Sequence, residues 1–309
     1  MRRKTQDDVS SPLRLIPPQK QAYLYAISAV FLWSTAATAF KLSLRVLDPI
    51  QLLFYAVLAS SIVLGLILMV QGKWSAVFLC TRRQYLQSLG LGLLNPCAYY
   101  LVLLRAYDLL PAQEAQPLNY TWAIALALLS IPLLKQKLTL WDAIGGMVSY
   151  AGVFVISTRG DIMGFRFSNP LGVGLALFSS FLWALYWIFN KRDTRDPVVG
   201  MFLNFVFALP FVLTICIAFS DMRINIQGLG GAIYVGLFEM GITFVLWLSA
   251  MKLTDHTARI GNLIFLSPFL SLVFIHFLVG EDIFPSTYIG LTLIIAGLIV
   301  QQKKPQSIA

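Results

Sequence analysis

Glu239 stands inside an apolar stretch, Ala232-Ile233-Tyr234-Val235-Gly236-Leu237-Phe238-Glu239-Met240, whereas the other acidic residues fall in tails, loops or the ends of apolar runs. A lone carboxylate in such a setting has two readings. It pairs with a substrate ammonium group or exchanges a proton, or it stays protonated as a hydrogen-bonding tie between helices. At the corresponding place in an earlier run stands Asn95, followed by Pro96. Around these depths lie the rings of Trp33, Tyr99, Tyr100, Tyr120, Trp122, Trp183, Phe244 and Phe265. Tryptophans at mid-run lie away from the interfaces where they are usual. As a set they read as the lining of a cavity for a flat apolar ring, held by stacking or, for a cationic ring, by cation–π contact; singly, each also fits ordinary helix packing. Asn119, Thr243, Asn262 and Ser267 are neutral polar groups at similar depth, able to meet a carboxylate where no mid-run Arg or Lys is available.

Other chemistries find little support. An intramembrane enzyme needs two or more ionisable groups converging at one depth, and one acid does not supply them. His256 and His276 have no second ligand nearby in sequence, and Cys80, Cys97 and Cys216 lack metal-like spacing, so no metal, cofactor or catalytic residue is expected. There is no Gly-Lys-Ser/Thr phosphate loop to drive transport with ATP. Gly90-x-Gly92 and Gly172-x-Gly174 sit in apolar runs and read as close-packing sites. Pro96, Pro117 and Pro268 are the expected hinge points of gates.

Elements that hold such residues must be membrane helices. The 309 residues are 58% hydrophobic and 12% charged, with a mean hydropathy of +0.76, about half the charge density of a soluble domain. The runs break at charge clusters and turns into ten spans, at about 20–41, 48–71, 84–107, 112–134, 139–158, 169–190, 197–219, 227–251, 257–279 and 284–302. Nothing alternates at period 2, so an all-α integral membrane protein is expected and a β-barrel is not. The first run resembles a signal peptide in its Arg2-Arg3-Lys4 lead, but a similar segment recurs mid-chain. The net charge of +9 offers no basic face for nucleic acid. It sorts by loop instead: Lys41, Arg45, Arg105, Arg159, Arg166 and Arg223 lie on one side, and the other 17 of 23 Lys and Arg residues on the side of both termini. The positive-inside rule then places both termini in the cytoplasm.

The two halves of the chain resemble each other. Phe31-Leu32-Trp33 is echoed by Phe181-Leu182-Trp183, Lys41 by Lys191, Asp48-Pro49 by Asp196-Pro197, Gly92-Leu93 by Gly236-Leu237, Ile144-Gly145 by Ile289-Gly290 and Ala151-Gly152 by Ala296-Gly297. A duplicated unit of five spans must enter the membrane upside down the second time. That layout is characteristic of secondary transporters whose site lies between the copies. The expected units are a tail (1–19), a first repeat (20–158), a linker (159–168), a second repeat (169–302) and a tail (303–309).

These echoes, together with Pro268, Gly280-Glu281, Gly290 and Gly297, resemble the EamA repeats of the drug/metabolite transporter superfamily. Leu118-Asn119-Tyr120-Thr121-Trp122 narrows the resemblance to that superfamily's bacterial exporters of aromatic amino acids. The first half departs from the pattern, with Ala123 where the second has Pro268 and Gln136 where it has Glu281. The resemblance implies a ten-helix exporter of small amphipathic metabolites in the bacterial inner membrane, working by alternating access. Two readings of its cargo stay open, aromatic or neutral amino acids and aromatic cations, with proton exchange as one source of drive.

Overall fold

The computed structural model describes residues 17–134, 140–161, 163–164, 167–190, 193–221, 225–254, 260 and 263–301, and among them there is no β-strand. The helices are α1 (Pro18–Ser43), α2 (Pro49–Val70), α3 (Arg82–Gly92), α4 (Tyr99–Leu109), α5 (Ala112–Asn119), α6 (Trp122–Leu134), α7 (Leu140–Ser157), α8 (Pro170–Asn190), α9 (Pro197–Phe219), α10 (Ile226–Tyr234), α11 (Ile242–Leu253), α12 (Ser267–Phe274) and α13 (Pro285–Gln301). Six described helical segments are long and apolar enough to cross a bilayer: α1, α2, Arg82–Leu109, α8, α9 and Ile226–Met251. Ile62, Leu66, Phe178 and Ile217 are among the large apolar side chains left exposed on them, as lipid-facing positions are.

Local chemistry sets the helix starts. Asp48 caps α2 by accepting from Ile50 N at 2.8 Å and Gln51 N at 3.0 Å, while Gln51 completes a capping box. Asp196 caps α9 in the same way, from Val198 N at 2.9 Å and Val199 N at 3.4 Å. In both, a proline occupies the first turn, where its missing N–H costs no helical bond. Asp196 is also tied to Lys73 at 2.8 Å. Burial works against its charge, but that ammonium group and the two N–H groups outweigh it and hold the carboxyl below its ordinary pKa.

Three helices are interrupted where the sequence places polar residues. Leu93–Ala98 forms a π-helical turn between α3 and α4, with Asn95 at φ −145° and ψ 119°; Pro96 offers no N–H there and the ladder breaks. A second such turn, Val235–Glu239, separates α10 from α11. Between α5 and α6 the chain turns at Tyr120-Thr121, and the Thr121 hydroxyl donates to Leu118 O at 2.7 Å. Pro117 is buried inside α5, and Pro268 lies in the first turn of α12. Pro96 therefore sits at a break, while Pro268 marks a helix start.

Lipid supplies little hydrophobic drive for helices to associate, so close approach through small residues matters. α7 and α13 cross through glycines. A Cβ added to Gly152 would lie 2.4 Å from Gly290 O, and one on Gly297 would lie 2.3 Å from Gly145 O. A second pair of contacts joins other helices: Gly92 of α3 meets Asn204 O of α9 at 2.2 Å in the same sense, and Gly236 meets Ala56 O of α2 at 2.4 Å. Of the two Gly-x-Gly motifs, Gly92 and Gly172 occupy close approaches, whereas Gly90 and Gly174 face open space.

Candidate functional site

Seven residues singled out from the sequence line one cavity of about 740 Å³: Trp33, Tyr99, Asn119, Tyr120, Trp122, Trp183 and Glu239. The helix interruptions bring them there. The turn after α5 carries Asn119, Tyr120 and Trp122 to the wall, and the π-turn that ends at Glu239 frees its carbonyl from the ladder. Trp33 Nε1 donates to that carbonyl at 3.3 Å. The Glu239 carboxylate accepts from the Tyr100 hydroxyl at 3.1 Å through Oε1, and its Oε2 has no hydrogen-bond partner among the described residues.

The rings form a connected set. Trp183 stacks on Tyr99 with centroids 4.6 Å apart and on Tyr186 at 5.6 Å, and meets Phe244 edge-on at 5.7 Å. Phe244 in turn lies 5.6 Å from Trp33, which touches Trp247 at 5.4 Å. Each such pair is worth about 0.5–1.5 kcal/mol beyond area burial. The Tyr99 hydroxyl donates to Asn119 Oδ1 at 3.3 Å, and Asn119 Nδ2 donates to Ser179 Oγ at 2.9 Å. Both hydrogen bonds fix the orientation of wall residues.

Other expected residues stand behind the wall. Tyr100 is buried and reaches the site through Glu239. Phe244 braces Trp33 and Trp183. Asn95, Thr243 and Ser267 are buried without lining the cavity, and the Thr243 hydroxyl is spent on Phe238 O. Asn262 and the side chain of Phe265 lie outside the described residues.

Sequence reasoning passed over several wall residues. Trp187 and Trp247 line the cavity. Trp187 and Asn190 follow Trp183 at spacings of four and seven, so helical periodicity was the signal that could have placed them. Tyr107 and Gln116 line the opposite end. Asp193 and Arg195, in the turn between α8 and α9, also line the cavity; no periodicity announces a loop side chain that folds back into a wall. Arg195 donates from Nη2 to Asp193 Oδ2 at 2.6 Å and from Nη1 to Ser88 Oγ of α3 at 2.7 Å.

Beyond the Tyr107 and Gln116 end, polar contacts cross between elements. Lys41 Nζ donates to Tyr107 O at 2.6 Å and Leu110 O at 2.7 Å, satisfying carbonyls at the end of α4. Glu281 accepts from Ala112 N at 2.9 Å and Gln113 N at 3.2 Å. The Gln113 amide donates to Asp282 O and accepts from Phe284 N, both at 2.8 Å. Buried Glu114 pairs with Arg159 at 2.8 Å. Beyond the Tyr107 and Gln116 end the cavity thus has a hydrogen-bonded polar layer, and its wall after α8 carries a buried ion pair.

A cavity of this size falls within the usual range for small ligands, and its lining suits an aromatic molecule carrying a charge. Known proteins agree with a carrier. An uncharacterized transporter of Archaeoglobus fulgidus is 24% identical over 92% of this chain and 98% of its own length. A protein of Ancylobacter novellus described as aromatic amino acid exporter YddG is 26% identical over 82% of this chain and 87% of its own. A solved crystal structure shares the fold, with a TM-score of 0.65 at 22% identity over 92% of this chain and 96% of that one. The sequence profile described as the EamA-like transporter family matches residues 20–158 and again 170–301. With nearly its whole length accounted for by that profile, the chain belongs to the EamA-like transporter family, a group of membrane transporters within the drug/metabolite transporter superfamily.

Proposed function

We propose that this protein is a secondary transporter that exports aromatic or similar amphipathic amino acids across the inner membrane by alternating access. One observation carries the reading. The cavity joins stacked and edge-on aromatic rings to a buried carboxylate with an unpartnered oxygen, a match for a ring and an ammonium group on one small molecule. The relative described as an aromatic amino acid exporter supports the same class of cargo.

The proposed architecture is ten spans in two inverted five-helix repeats, with both termini cytoplasmic. Its support lies in the glycine contacts. Gly145 and Gly152 correspond in sequence to Gly290 and Gly297, and the contacts run crosswise, Gly152 to Gly290 and Gly297 to Gly145. Ala56 corresponds to Asn204 at the offset of the two helix-capping aspartates, and again Gly92 meets Asn204 while Gly236 meets Ala56. Crosswise contacts of this kind are what a two-fold axis between equivalent elements produces. In the orientation drawn from the charges, the polar layer at Lys41 and Glu281 is on the outer side. The Asp193–Arg195 wall then lies toward the cytoplasm, where an exporter loads.

Efflux of aromatic cations is the second reading, which Glu239 and the tryptophans of the wall would serve equally well. Flux in proteoliposomes separates the two. Counterflow of Phe, Tyr or Trp supports amino-acid export, and transport of an aromatic cation without any amino acid overturns it.

A further inference from the structure

We propose that Asp193 and Arg195 form a loading subsite for the zwitterionic headgroup of an α-amino acid, the guanidinium taking its carboxylate and the Asp193 carboxylate its ammonium group before that ammonium group passes on to Glu239. The proposal rests on the amino-acid reading above and names how that site distinguishes an amino acid from a plain aromatic amine.

Position is the first argument. Trp183, Trp187 and Asn190 line the cavity from one face of α8, a distance of about 10 Å along the axis. The turn that follows adds Asp193 and Arg195 to the same wall. A ring seated toward the tryptophans therefore leaves its headgroup facing the pair.

Charge is the second. Among the described residues lining the cavity, Arg195 is the one basic side chain. Its side chain is 4% exposed and that of Asp193 is 9% exposed. Burying an ion pair is seldom a route to stability, since apolar residues of similar volume often do as well or better. A turn of a few residues between two helices has no evident need for one.

Valence is the third. The guanidinium uses Nε and Nη2 on Asp193 and Nη1 on Ser88. Its five N–H groups leave one proton on each Nη, and with the Cys80 thiol as a further neighbour of the guanidinium at least one of the two stays open to a ligand acceptor. Asp193 Oδ1 also accepts from Arg195 N at 3.0 Å, so the carboxylate stays in place if the guanidinium turns part of its fork to a ligand. A zwitterion docked against the pair sets each charge beside an opposite one, and the net charge of the wall does not change. Carboxylates suit the planar fork of arginine better than they suit neutral amides. Gly200 gives the pair room, because a Cβ there would lie 3.1 Å from Asp193 Oδ2.

The test is competition against counterflow of labelled phenylalanine in proteoliposomes holding the full-length protein, with unlabelled phenylalanine and phenylalaninamide as competitors. In the unsubstituted protein the amide, which lacks the carboxylate, should compete about tenfold more weakly or worse. Arg195→Gln should bring the two competitors to near parity by weakening phenylalanine, and Arg195→Lys should keep part of the difference. Equal competition in the unsubstituted protein overturns the proposal without any variant being made. So does an unchanged ratio in Arg195→Gln, which would leave the pair as a pin between the turn and Ser88. Absence of phenylalanine counterflow altogether sinks the amino-acid reading and the subsite with it, whereas indifference to the carboxylate sinks the subsite alone.

Discussion

Gly152→Ala tests the helix crossing on which the proposed two-fold frame depends. Two terms of opposite sign compete. Replacing a helical glycine by alanine stabilises by roughly 0.5–1 kcal/mol through backbone entropy. The new Cβ, however, would stand 2.4 Å from Gly290 O and 3.0 Å from both the backbone nitrogen and Cγ1 of Ile294, where ordinary contact begins at 3.4 Å. Backbone cannot swing aside as a flexible side chain can, so α7 and α13 must separate by about 1 Å, at a typical overpacking cost of 1–3 kcal/mol. The separation also strains the hydrogen bond from Ser149 Oγ to Ile294 O, 3.0 Å long and buried. Gly174→Ala is the matched control: it lies within α8, and a Cβ there meets nothing within 4 Å. It carries the same entropy gain without the clash. Thermal unfolding in detergent should therefore separate the two variants by about 1–3 kcal/mol, with Gly152→Ala below the parent and Gly174→Ala at or above it. Equal stability of the two would refute the reasoning.

Other perturbations address the cavity and its surroundings. Trp122→Ala should weaken transport of an aromatic substrate more than it lowers the melting temperature, whereas Trp183→Ala, which breaks stacking on Tyr99 and Tyr186 as well as the edge contact with Phe244, should lose about 3–5 kcal/mol of stability; similar melting losses in both would mark Trp122 as packing only. Glu239→Gln keeps an oxygen for the Tyr100 hydroxyl and should leave the fold intact while flattening the pH profile of flux; an unaltered rate and profile would remove Glu239 from the mechanism. Asp196 has its carboxyl held below the ordinary value, so its contribution is present above the unfolded value near 4 and is lost as pH falls below that through the folded one. With Lys73 43% exposed, that contribution is below about 1 kcal/mol. The melting temperature of Asp196→Asn, which keeps a capping oxygen, should accordingly fall less between pH 5 and 3 than that of the parent, and identical slopes would discount the pair.

What the sequence revealed followed from signals that act along the chain. Apolar runs marked the helices, Asp-Pro steps marked the starts of α2 and α9, and Asn95-Pro96 marked a break. The depth of a residue within a run was enough to place Trp33, Trp183 and Glu239 in the cavity wall. Depth does not say which way a side chain points. Asn95 and Thr243 share that depth yet face packed helices, and Tyr100 reaches the cavity only through Glu239. The break at Tyr120-Thr121 was marked only indirectly, by Pro117 three residues earlier, since neither residue at the break is a proline or glycine; there the Thr121 hydroxyl satisfies Leu118 O. Asp193 and Arg195 escaped for a related reason. In a loop, charged residues read as solvated, and only the packing of the turn against Ser88 turns them inward.

The two halves divide their labour in a way that follows from what each contact needs. Contacts that set the frame involve glycine and backbone oxygen, Gly152 with Gly290 and Gly92 with Asn204, and these recur crosswise because a backbone approach tolerates any sequence that leaves the space free. Contacts that face the cavity need specific side chains, and there equivalence ends. Asn95 stands opposite Glu239, Tyr99 opposite Thr243, and Tyr100 opposite Phe244. Under the proposed two-fold relation, the frame can exchange its halves between states at little change in packing, since the same approaches re-form with partners reversed. The ligand then meets Glu239 and the stacked Tyr99 in either state, held on opposite halves, and Tyr100, next to Tyr99, ties its half to Glu239 by a hydrogen bond. An exchange of halves must therefore carry that hydrogen bond through intact or break it, and a substrate ammonium competing for Glu239 is the group best placed to decide which.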